Sequence, residues 1–425
     1  MRLLIHSADQ VVTPVSVERG RKPEVRVLHN AAIAIDEHGK IAAVGDSEAV
    51  CRRYEGQQFD ARIDASGRCV MPGFVDAHTH PVWAGDRSHE FAMKLAGASY
   101  LEIHEKGGGI YFTVEQTTKA SDDELYASLK ERLTKMLQAG TTLAEVKSGY
   151  GLEAAAELRL LRLLERARRD LPLELSVTYC GAHAVPRGKT AEEAVRDIVE
   201  QQIPSIKKLV DAGELAVENI DVFCEKGVFS TDQARAILEK GKEAGMRPNF
   251  HGDELNPMGC AQLAVDIGAW AVSHLEEVST EGVAALGSAH QPPGAVLLPT
   301  TALLLQLQPP PARQLLDAGA LVALGSDFNP NAHCYAMPIV MLLACILMRM
   351  SVEEALVAAT LNAAATLGRA DRVGSIEEGK AADLVIIDAS RWEHIIYQFG
   401  CHDNLIAYVI KNGKVVHCKK DAING

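Results

Sequence analysis

The sequence predicts an α/β protein: a (β/α)8 TIM barrel with a small β-sandwich built from the N- and C-terminal segments. Three observations lead to this fold class. The chain has 425 residues, which suits one such barrel with an appended module. Between Ala77 and Gly368, short β-branched runs alternate with amphipathic stretches, as in a parallel sheet covered by helices. The two ends instead show short alternating strands broken by glycine.

Eight strands can be counted in the alternating region, which is the number that closes a barrel of this type. We expect them around Gly73–His80, Thr141–Lys147, Leu173–His183, Asn219–Phe223, Arg247–His251, Trp270–His274, Ala295–Pro299 and Leu321–Asp327.

The intervening helices have start signals of their own. In a capping box, Ser or Thr is followed three residues later by Glu or Gln, and four segments show this spacing. After the first, leucines recur every four residues and Gly140 follows as a C-terminal stop, which predicts an amphipathic helix facing the sheet. The pairs are Ser121 with Glu124, Thr190 with Glu193, Ser230 with Gln233, and Ser351 with Glu354; the leucines are Leu125, Leu129, Leu133 and Leu137.

The two ends of the chain have no helices to cover a sheet, so we expect them to pair with each other in one β-sandwich. Their expected strands are Ala31–Ile35, Ile41–Val44, Asp383–Ile387 and Leu405–Ile410. The predicted domains are therefore residues 1–70 plus 370–425 as the composite β-sandwich, and residues 71–369 as the barrel.

Composition excludes several classes of partner. The net charge is −13, from 43 Lys plus Arg against 56 Asp plus Glu, which is the wrong sign for nucleic acid or an anionic membrane.

The nine cysteines include no CxxC pair and the N-terminal apolar run is too short for a signal peptide, so we expect reduced thiols and a cytoplasmic protein. The most apolar stretch, Met337 to Met348, has the length of a buried core helix. A small-molecule substrate is expected, and an anionic one would need a local cation.

Side chains with metal-binding chemistry follow several expected strands. In such a barrel, the C-terminal ends of the strands surround the active site. Residues two apart on a strand point to the same face, so His78 and His80 can bind one ion together. A third imidazole and a carboxylate would complete the ligand set and leave a position for water. The other strand ends carry His183, His251 with Glu254, His274 and Asp327.

Each of these residues also has an ordinary structural explanation. Two histidines on a strand often only satisfy backbone carbonyls, and a single His183 or His274 is more often structural than functional. Several strand ends that offer ligands together, with Asp327 in a Gly-Ser-Asp turn, favour a metal site.

The motifs around these residues resemble those of the amidohydrolase superfamily. The resemblance covers essentially the whole chain and rests on residues 72–80 (PGFVDAHTH), 325–327 (GSD) and 374–384 (GSIEEGKAADL). Within that superfamily the chain is similar to the imidazolonepropionase family, especially its animal forms. The motifs that carry this similarity are residues 83–91 (WAGDRSHEF), 107–110 (GGGI), 147–151 (KSGYG), 251–254 (HGDE) and 392–400 (WEHIIYQFG).

The resemblance implies hydrolysis of the cyclic amide of 4-imidazolone-5-propanoate to N-formimino-L-glutamate in histidine degradation. One divalent zinc or iron ion per subunit would activate water for attack on the ring carbonyl. The implied catalytic groups are Glu254 and His274, and Asp327 has a second role as proton acceptor. Since dimers are the family habit, a homodimer is expected. The implied metal ligands are His78, His80, His251 and Asp327.

Arg87 follows His80 by seven residues, in the loop that leaves the first strand. A loop arginine is usually a solvated cation, but here it can clamp the propionate carboxylate with two hydrogen bonds. No GK[ST] follows the glycines at 107–109, so we interpret them as a lid rather than a phosphate-binding loop. The substrate-contacting residues implied by the resemblance are Arg87, Tyr150, His183, Glu254 and Asn329.

Two departures from the family pattern leave alternatives open. Bacterial members carry Gly-Ser shortly after the eighth-strand Asp, where this chain has Asn331-Ala332. The fourth strand ends in Cys224-Glu225, where binuclear relatives have a bridging Lys or Glu, so a second metal is not excluded. The functional alternatives are another cyclic-amide hydrolase or purine-type deaminase of the superfamily, and a non-catalytic amidohydrolase-like scaffold. A scaffold typically loses metal ligands, whereas all four are present here.

Overall fold

The computed structural model describes residues 1–15, 24–97, 108–289 and 293–419. Its strands form two sheets. In chain order the strands are β1 (Leu3–Val15), β2 (Glu24–Ile35), β3 (Ile41–Asp46), β4 (Ala61–Asp64), β5 (Cys69–Pro72), β6 (Phe74–Asp76), β7 (Thr141–Lys147), β8 (Glu174–Ala182), β9 (Val217–Cys224), β10 (Arg247–Gly252), β11 (Ala271–His274), β12 (Gly294–Leu297), β13 (Val322–Leu324), β14 (Leu384–Ile387), β15 (Ile406–Lys411) and β16 (Lys414–Cys418).

Strands β6 to β13 pair in consecutive order as one parallel sheet, the arrangement of a (β/α)8 barrel. Each of the eight predicted barrel strands corresponds to one of them. Backbone hydrogen bonds from Ala77 N to Leu324 O (3.4 Å) and from His80 N to Phe328 O (2.9 Å) join the end of β6 to the end of β13. The predicted fold class is confirmed, because this nearly closed barrel lies beside a separate sheet formed by the termini.

Helices connect the barrel strands and cover the outside of the sheet. Among the described residues, no helix is long and apolar enough to cross a membrane. The helices are α1 (Ser47–Arg53), α2 (Ser88–Leu95), α3 (Gly109–Lys119), α4 (Asp122–Gln138), α5 (Ala154–Asp170), α6 (Ala191–Asp197), the π-helical turn Ile198–Gln202, α7 (Ile203–Asp211), α8 (Thr231–Glu243), α9 (Cys260–Asp266), α10 (Thr280–Ser288), α11 (Pro299–Leu305), α12 (Ala312–Asp317), α13 (Met337–Met348), α14 (Val352–Ala358), α15 (Leu361–Thr366), α16 (His394–Tyr397) and α17 (His402–Leu405).

All four predicted capping boxes are present at helix starts. Ser121, Thr190, Ser230 and Ser351 each accept a hydrogen bond from the backbone N–H three residues on, and the Glu or Gln there accepts one in return. In α4 the four periodic leucines are buried, and the chain leaves the helix through Gly140, whose φ is +94°. Because that conformation suits glycine, the predicted stop also has its expected physical cause.

The terminal segments form the second sheet, in the order β16-β15-β14-β5-β1-β2-β3, with β4 also pairing with β1. Strands from both ends of the chain contribute to one buried cluster that includes Ile5, Ile33, Leu384 and Ile410. The longest strand, β1, was absent from the predicted set, since its polar residues and its register shift after Ile5 interrupt the expected alternation. The domain boundaries near residues 70 and 370 stay a prediction.

A partly buried ion cluster connects the terminal sheet to the start of β8. Lys411 Nζ lies 2.5 Å from Asp383 Oδ2 and 2.9 Å from Glu174 Oε2. Arg369 and Arg372 contact Glu174 Oε1 at 3.2 and 2.7 Å. Burial by itself raises the pKa of Glu174, but Lys411 and Arg372 outweigh it and lower that pKa to about 2. Glu174 is therefore an ionised link between the two sheets.

Glu174→Gln should destabilise the protein in a pH-dependent way. The folded-state pKa of about 2 lies below the ordinary value of 4.5, so the stabilisation is present above the ordinary value and is lost as the pH falls toward 2. At neutral pH we expect a loss on the order of 2–3 kcal/mol. Denaturant unfolding of parent and variant across this pH range measures the difference, with the exposed helix residue changed in Glu131→Gln as control. A difference that does not shrink on acidification would contradict this assignment.

Candidate metal centre and cavity

Three histidines and one aspartate converge at the C-terminal end of the barrel. The Nε2 atoms of His78, His80 and His251 lie 3.2, 3.3 and 3.2 Å from one another. Asp327 Oδ1 is 3.6 Å from His78 Nε2 and 3.5 Å from His80 Nε2. The pair of histidines follows β6, His251 lies in β10 and Asp327 follows β13. The four predicted ligands thus meet at one point although they come from three separate strands.

The chemistry of this donor set fits a divalent cation. Within the described part of the chain, the buried Asp327 Oδ1 has no hydrogen-bond partner, while its Oδ2 accepts a hydrogen bond from the Thr301 hydroxyl at 2.5 Å. Imidazole nitrogens that face a buried, unsatisfied carboxylate oxygen are costly unless a cation joins them. His78, His80 and Asp327 are close enough to hold one ion.

Electrostatics favour the neutral imidazoles that metal binding requires. Burial lowers the pKa of His78, His80 and His251 well below the ordinary value, and the charge on Lys147 lowers it further. Such an imidazole keeps a lone pair on one ring nitrogen. His78 Nδ1 contacts the Ser273 hydroxyl at 2.8 Å, and His251 Nδ1 contacts an Asp221 oxygen at 2.8 Å. These contacts direct each Nε2 toward the cluster.

His274 lies between two carboxylates beside the cluster. Its Nε2 is 3.5 Å from Glu254 Oε2, and its Nδ1 is 3.6 Å from Glu276 Oε2. Burial lowers the pKa of His274, but the surrounding carboxylates outweigh this effect and raise it. Burial also raises the pKa of Glu254. The His274–Glu254 pair therefore retains a proton next to the cluster, which is the requirement for general acid–base chemistry.

Backbone strain accompanies several of these side chains. The φ angle is +53° at Asp253, +80° at His274, +69° at Leu275 and +47° at Asp327. Non-glycine residues in this region cost on the order of 1–3 kcal/mol each and persist where surrounding contacts hold them. The backbone that carries His274 and Asp327 is therefore held in an unfavourable conformation by its surroundings.

The cluster opens into a cavity of about 790 Å³. Its wall combines apolar side chains with polar and charged ones, as small-molecule sites do. The predicted substrate-contacting and catalytic residues that line it are Arg87, Tyr150, His183, Glu254, His274, Asp327 and Asn329.

His183 and Tyr150 form one wall of the cavity. The His183 ring stacks on His80, with centroids 4.6 Å apart, and lies 5.3 Å from the Tyr150 ring. His183 Nδ1 contacts Gly149 O at 3.0 Å, and burial lowers the pKa of His183 to about 4. Gly149 has a φ of +106°, and a Cβ there would lie 3.0 Å from His183 Nδ1. The glycine thus permits the close approach of this wall to the cluster.

Arg87 is a buried cation in the cavity wall. Its Nε and Nη2 each lie 2.9 Å from Glu90 Oε2, and Glu90 Oε1 accepts a hydrogen bond from Gly109 N at 2.9 Å. A guanidinium has five donors, so this fixed pair leaves donors for an anionic ligand. The predicted glycine lid lies partly outside the described residues, because only Gly108 and Gly109 of its three glycines are described, at the start of α3.

The turn after Asp327 uses most of its own polar groups. Asn329 Nδ2 donates to Asp327 O at 2.7 Å, and Asn329 Oδ1 accepts from the backbone of Asn331 and Ala332 at 2.6 and 3.1 Å. The Asn331 side chain lines the cavity and accepts a hydrogen bond from Lys94. Asn329 thus shapes this turn, and its contact with substrate stays a prediction.

Glu225 is hydrogen-bonded to the loop that carries Glu254. Its oxygens accept hydrogen bonds from Leu255 N, Asn256 N and Asn256 Nδ2 at 3.0, 3.3 and 2.7 Å. Among the described residues, the groups able to hold a metal do not include Glu225. These hydrogen bonds position the loop. The contacts of Glu225 therefore do not support a second metal at this strand end.

Three buried charged residues lie behind the cluster, and the sequence pattern did not predict a role for them: Lys147, Asp221 and Glu276. Asp221 lies within β9, where Ile220 and Val222 flank it. A carboxylate between two apolar residues of a strand was an available signal, since a buried charge requires a partner. The partner's identity depends on which strands are neighbours, which the sequence does not show.

A parallel barrel with this cluster at its strand ends is the architecture of a metal-dependent hydrolase, and the sequence agrees with that class. The family model described as "Amidohydrolase family" matches residues 69–416. The chain therefore belongs to the amidohydrolase family, as its motifs predict.

Within that family the chain groups with the imidazolonepropionases. It is 57% identical over 425 residues to a probable imidazolonepropionase from Mus musculus, covering 98% of this chain and 99% of that protein. It is 55% identical over 420 residues to one from Homo sapiens, covering 98% of each chain. A probable imidazolonepropionase from Dictyostelium discoideum is 48% identical over 423 residues, again with 98% of each chain covered. The predicted resemblance to animal members is confirmed.

Solved structures agree on the fold. A mutant atrazine chlorohydrolase from Arthrobacter aurescens, complexed with zinc and atraton, superposes with a TM-score of 0.74 at 19% identity, covering 97% of this chain and 95% of that one. An adenosine deaminase from Xanthomonas campestris with bound zinc gives a TM-score of 0.73 at 19% identity, covering 100% and 94%. At this identity the likeness concerns the fold.

His251→Ala should lower the metal content of the purified protein. The change removes one of three convergent Nε2 atoms and leaves too few ligands for tight binding. Elemental analysis after dialysis measures the effect, and we expect about one zinc or iron ion per chain in the parent and far less in the variant. His38→Ala, in an exposed turn of the terminal sheet, is the matched control. Stoichiometric metal in the His251 variant would contradict this ligand set.

Proposed function

We propose that this protein is an imidazolonepropionase, which hydrolyses the cyclic amide C–N bond of 4-imidazolone-5-propanoate to N-formimino-L-glutamate in histidine degradation. The observation that carries the proposal is that one cavity contains both a set of metal-binding side chains and a buried cation. The convergent histidines and Asp327 lie at one end, and the buried cation Arg87 lies in its wall. Relatives of 55–57% identity that are named probable imidazolonepropionase support the same reaction.

His78, His80, His251 and Asp327 would hold one divalent metal ion per subunit. When bound, such an ion supplies Lewis-acid activation of water. Imidazole and carboxylate ligands suit both zinc and iron, and zinc is bound in two structures of the same fold. The Thr301 hydroxyl holds Asp327 Oδ2, which leaves Oδ1 to face the histidines.

The remaining residues supply proton transfer and charge stabilisation. Amide hydrolysis adds a hydroxyl to the carbonyl carbon and a proton to the departing ring nitrogen. Glu254 faces the cavity and has a raised pKa, so its carboxylate is suited to take the proton from water and return it to that nitrogen. His274 Nε2 would donate a hydrogen bond to the carbonyl oxygen as negative charge develops there. Asp327 is the second candidate proton acceptor.

The cavity wall accounts for substrate orientation. Arg87 would bind the propionate carboxylate through the donors that Glu90 leaves available. The stacked His183 and the ring of Tyr150 would flank the planar imidazolone next to the cluster. A carboxylate bound at Arg87 would thereby place the ring over the proton-transfer pair, which restricts the reaction to an anionic cyclic amide.

The setting of the reaction completes the proposal. We infer a cytoplasmic enzyme of small-molecule metabolism, in keeping with the nine free cysteines and the histidine-degrading role of the family. We also propose that it acts as a homodimer, which is the habit of that family. A sedimentation experiment at micromolar concentration would distinguish monomer from dimer.

The direct test is turnover of freshly generated 4-imidazolone-5-propanoate. We expect its ultraviolet absorbance to fall in the presence of the protein, to stop falling after exhaustive chelation, and to resume when zinc or iron is restored. Elemental analysis confirms that the chelated sample has lost its metal. Absence of turnover in the metal-loaded protein would reject the proposed reaction, and full activity in the metal-free protein would reject the metal-dependent mechanism.

Arg87→Met should weaken substrate binding more than it slows the bound complex. Loss of a charge-assisted contact costs about 1.5–3 kcal/mol, so we expect KM to rise roughly 10- to 100-fold with a smaller change in kcat. Steady-state kinetics with the anionic substrate measure both constants. Arg62→Met, on β4 of the terminal sheet, is the control. An unchanged KM in the Arg87 variant would favour a different cyclic-amide hydrolase or a purine-type deaminase.

A further inference from the structure

Lys147 is a buried ammonium at the end of β7 that the proposed reaction does not use. Its side chain is 0% exposed, and its Nζ lies 2.7 Å from Glu145 Oε1 and 2.7 Å from Asp221 Oδ2. Both carboxylates are themselves 0% exposed. Burial of three charges is costly, and breaking such a cluster leaves an uncompensated charge in the interior. The position of these charges relative to the predicted ligands suggests why the fold retains them.

One arm of this charge cluster holds His251. Asp221 Oδ1 accepts hydrogen bonds from His251 Nδ1 at 2.8 Å and from His251 N at 3.1 Å. The other oxygen of the same carboxylate is the one that contacts Lys147. Lys147 therefore pins the carboxylate that fixes both the ring and the backbone of this ligand.

The other arm holds the two histidines that follow β6. Glu145 Oε2 accepts a hydrogen bond from Thr79 N at 3.2 Å, and the Thr79 hydroxyl donates to Glu145 O at 2.6 Å. Lys147 N donates to Thr79 O at 3.0 Å. Because Thr79 lies between His78 and His80, these bonds hold the backbone from which both imidazoles project.

We propose that Lys147 is a positioning residue that keeps the histidines after β6 in register with His251 and thereby sets the affinity for the metal ion. The inference rests on the ligand set proposed above. Without the ammonium, the carboxylates of Glu145 and Asp221 become unpaired like charges in the interior. They separate or rotate, and the contacts to Thr79 and His251 loosen with them. The ligand set is then no longer preorganised.

The chain contains a matched control for this role. Lys411 is also a buried ammonium between two carboxylates, with Nζ 2.5 Å from Asp383 Oδ2 and 2.9 Å from Glu174 Oε2. Its partners lie between the terminal sheet and the start of β8, and they do not contact the predicted ligands. Lys147→Met and Lys411→Met therefore each remove one buried ammonium that is paired with two carboxylates, and only the first change touches the metal centre.

The experiment measures zinc affinity in metal-free protein by competition with a chromophoric chelator, alongside denaturant unfolding. We expect both variants to lose stability. Only Lys147→Met should bind zinc more weakly, by roughly 10- to 100-fold, which is the usual effect of removing a group that orients a metal ligand. Cobalt-loaded protein adds a second readout, because altered ligand geometry should shift the visible bands of Lys147→Met and leave those of Lys411→Met in place.

The outcomes separate this inference from the proposed ligand set. Unchanged or tighter zinc affinity in folded Lys147→Met would overturn the positioning role, as would an equal loss of affinity in Lys411→Met. A parent protein that binds no zinc would overturn the ligand set itself. If Lys147→Met does not fold, the charge-balanced double variant Glu145→Gln with Lys147→Met replaces it. Asp221 has then lost the cation that holds it against His251, so weaker zinc binding is again expected.

Discussion

Closure of the parallel barrel is the constraint on which the rest of the structure depends. The strands point the same way, so their C-terminal ends form one ring, and residues far apart in the chain become neighbours there. The residues that follow the first and last barrel strands, β6 and β13, are in direct contact, since Asp327 N donates to His78 O at 2.9 Å. The same ring brings β10 close enough for His251 Nε2 to reach both histidines. A barrel that failed to close would separate the ligands.

Burial is the second constraint, and it determines how the charges around the cluster are arranged. Each buried cation in the described site is paired: Lys147 with two carboxylates, Arg87 with Glu90, and His274 with carboxylates on both ring nitrogens. In a low-dielectric interior an unpaired charge is expensive, so these pairs are held in fixed geometry. Because the buried charges must stay paired, the side chains of the site are held in fixed orientations, which a catalytic site requires.

Local patterns predicted much of this structure. The four capping boxes and the leucine spacing of α4 mark real helices because capping and amphipathicity act within a few residues. The eight barrel strands follow from short apolar runs between helices. In contrast, β1 was missed because a register shift breaks its alternation. The sequence also left Glu225 open as a ligand of a second metal, whereas in the structure its oxygens accept hydrogen bonds from a neighbouring loop.

The sequence by itself determined the fold class, the helix starts and the set of ligand-type side chains, because these depend on periodicity, capping and the residue types at strand ends. Only the tertiary structure decided that His78, His80, His251 and Asp327 share one point and that Arg87 opens onto the same cavity. It alone revealed that Lys147 lies between Glu145 and Asp221. The physical reason is that such contacts join different strands, and the order and register in which strands pair are properties of the closed sheet.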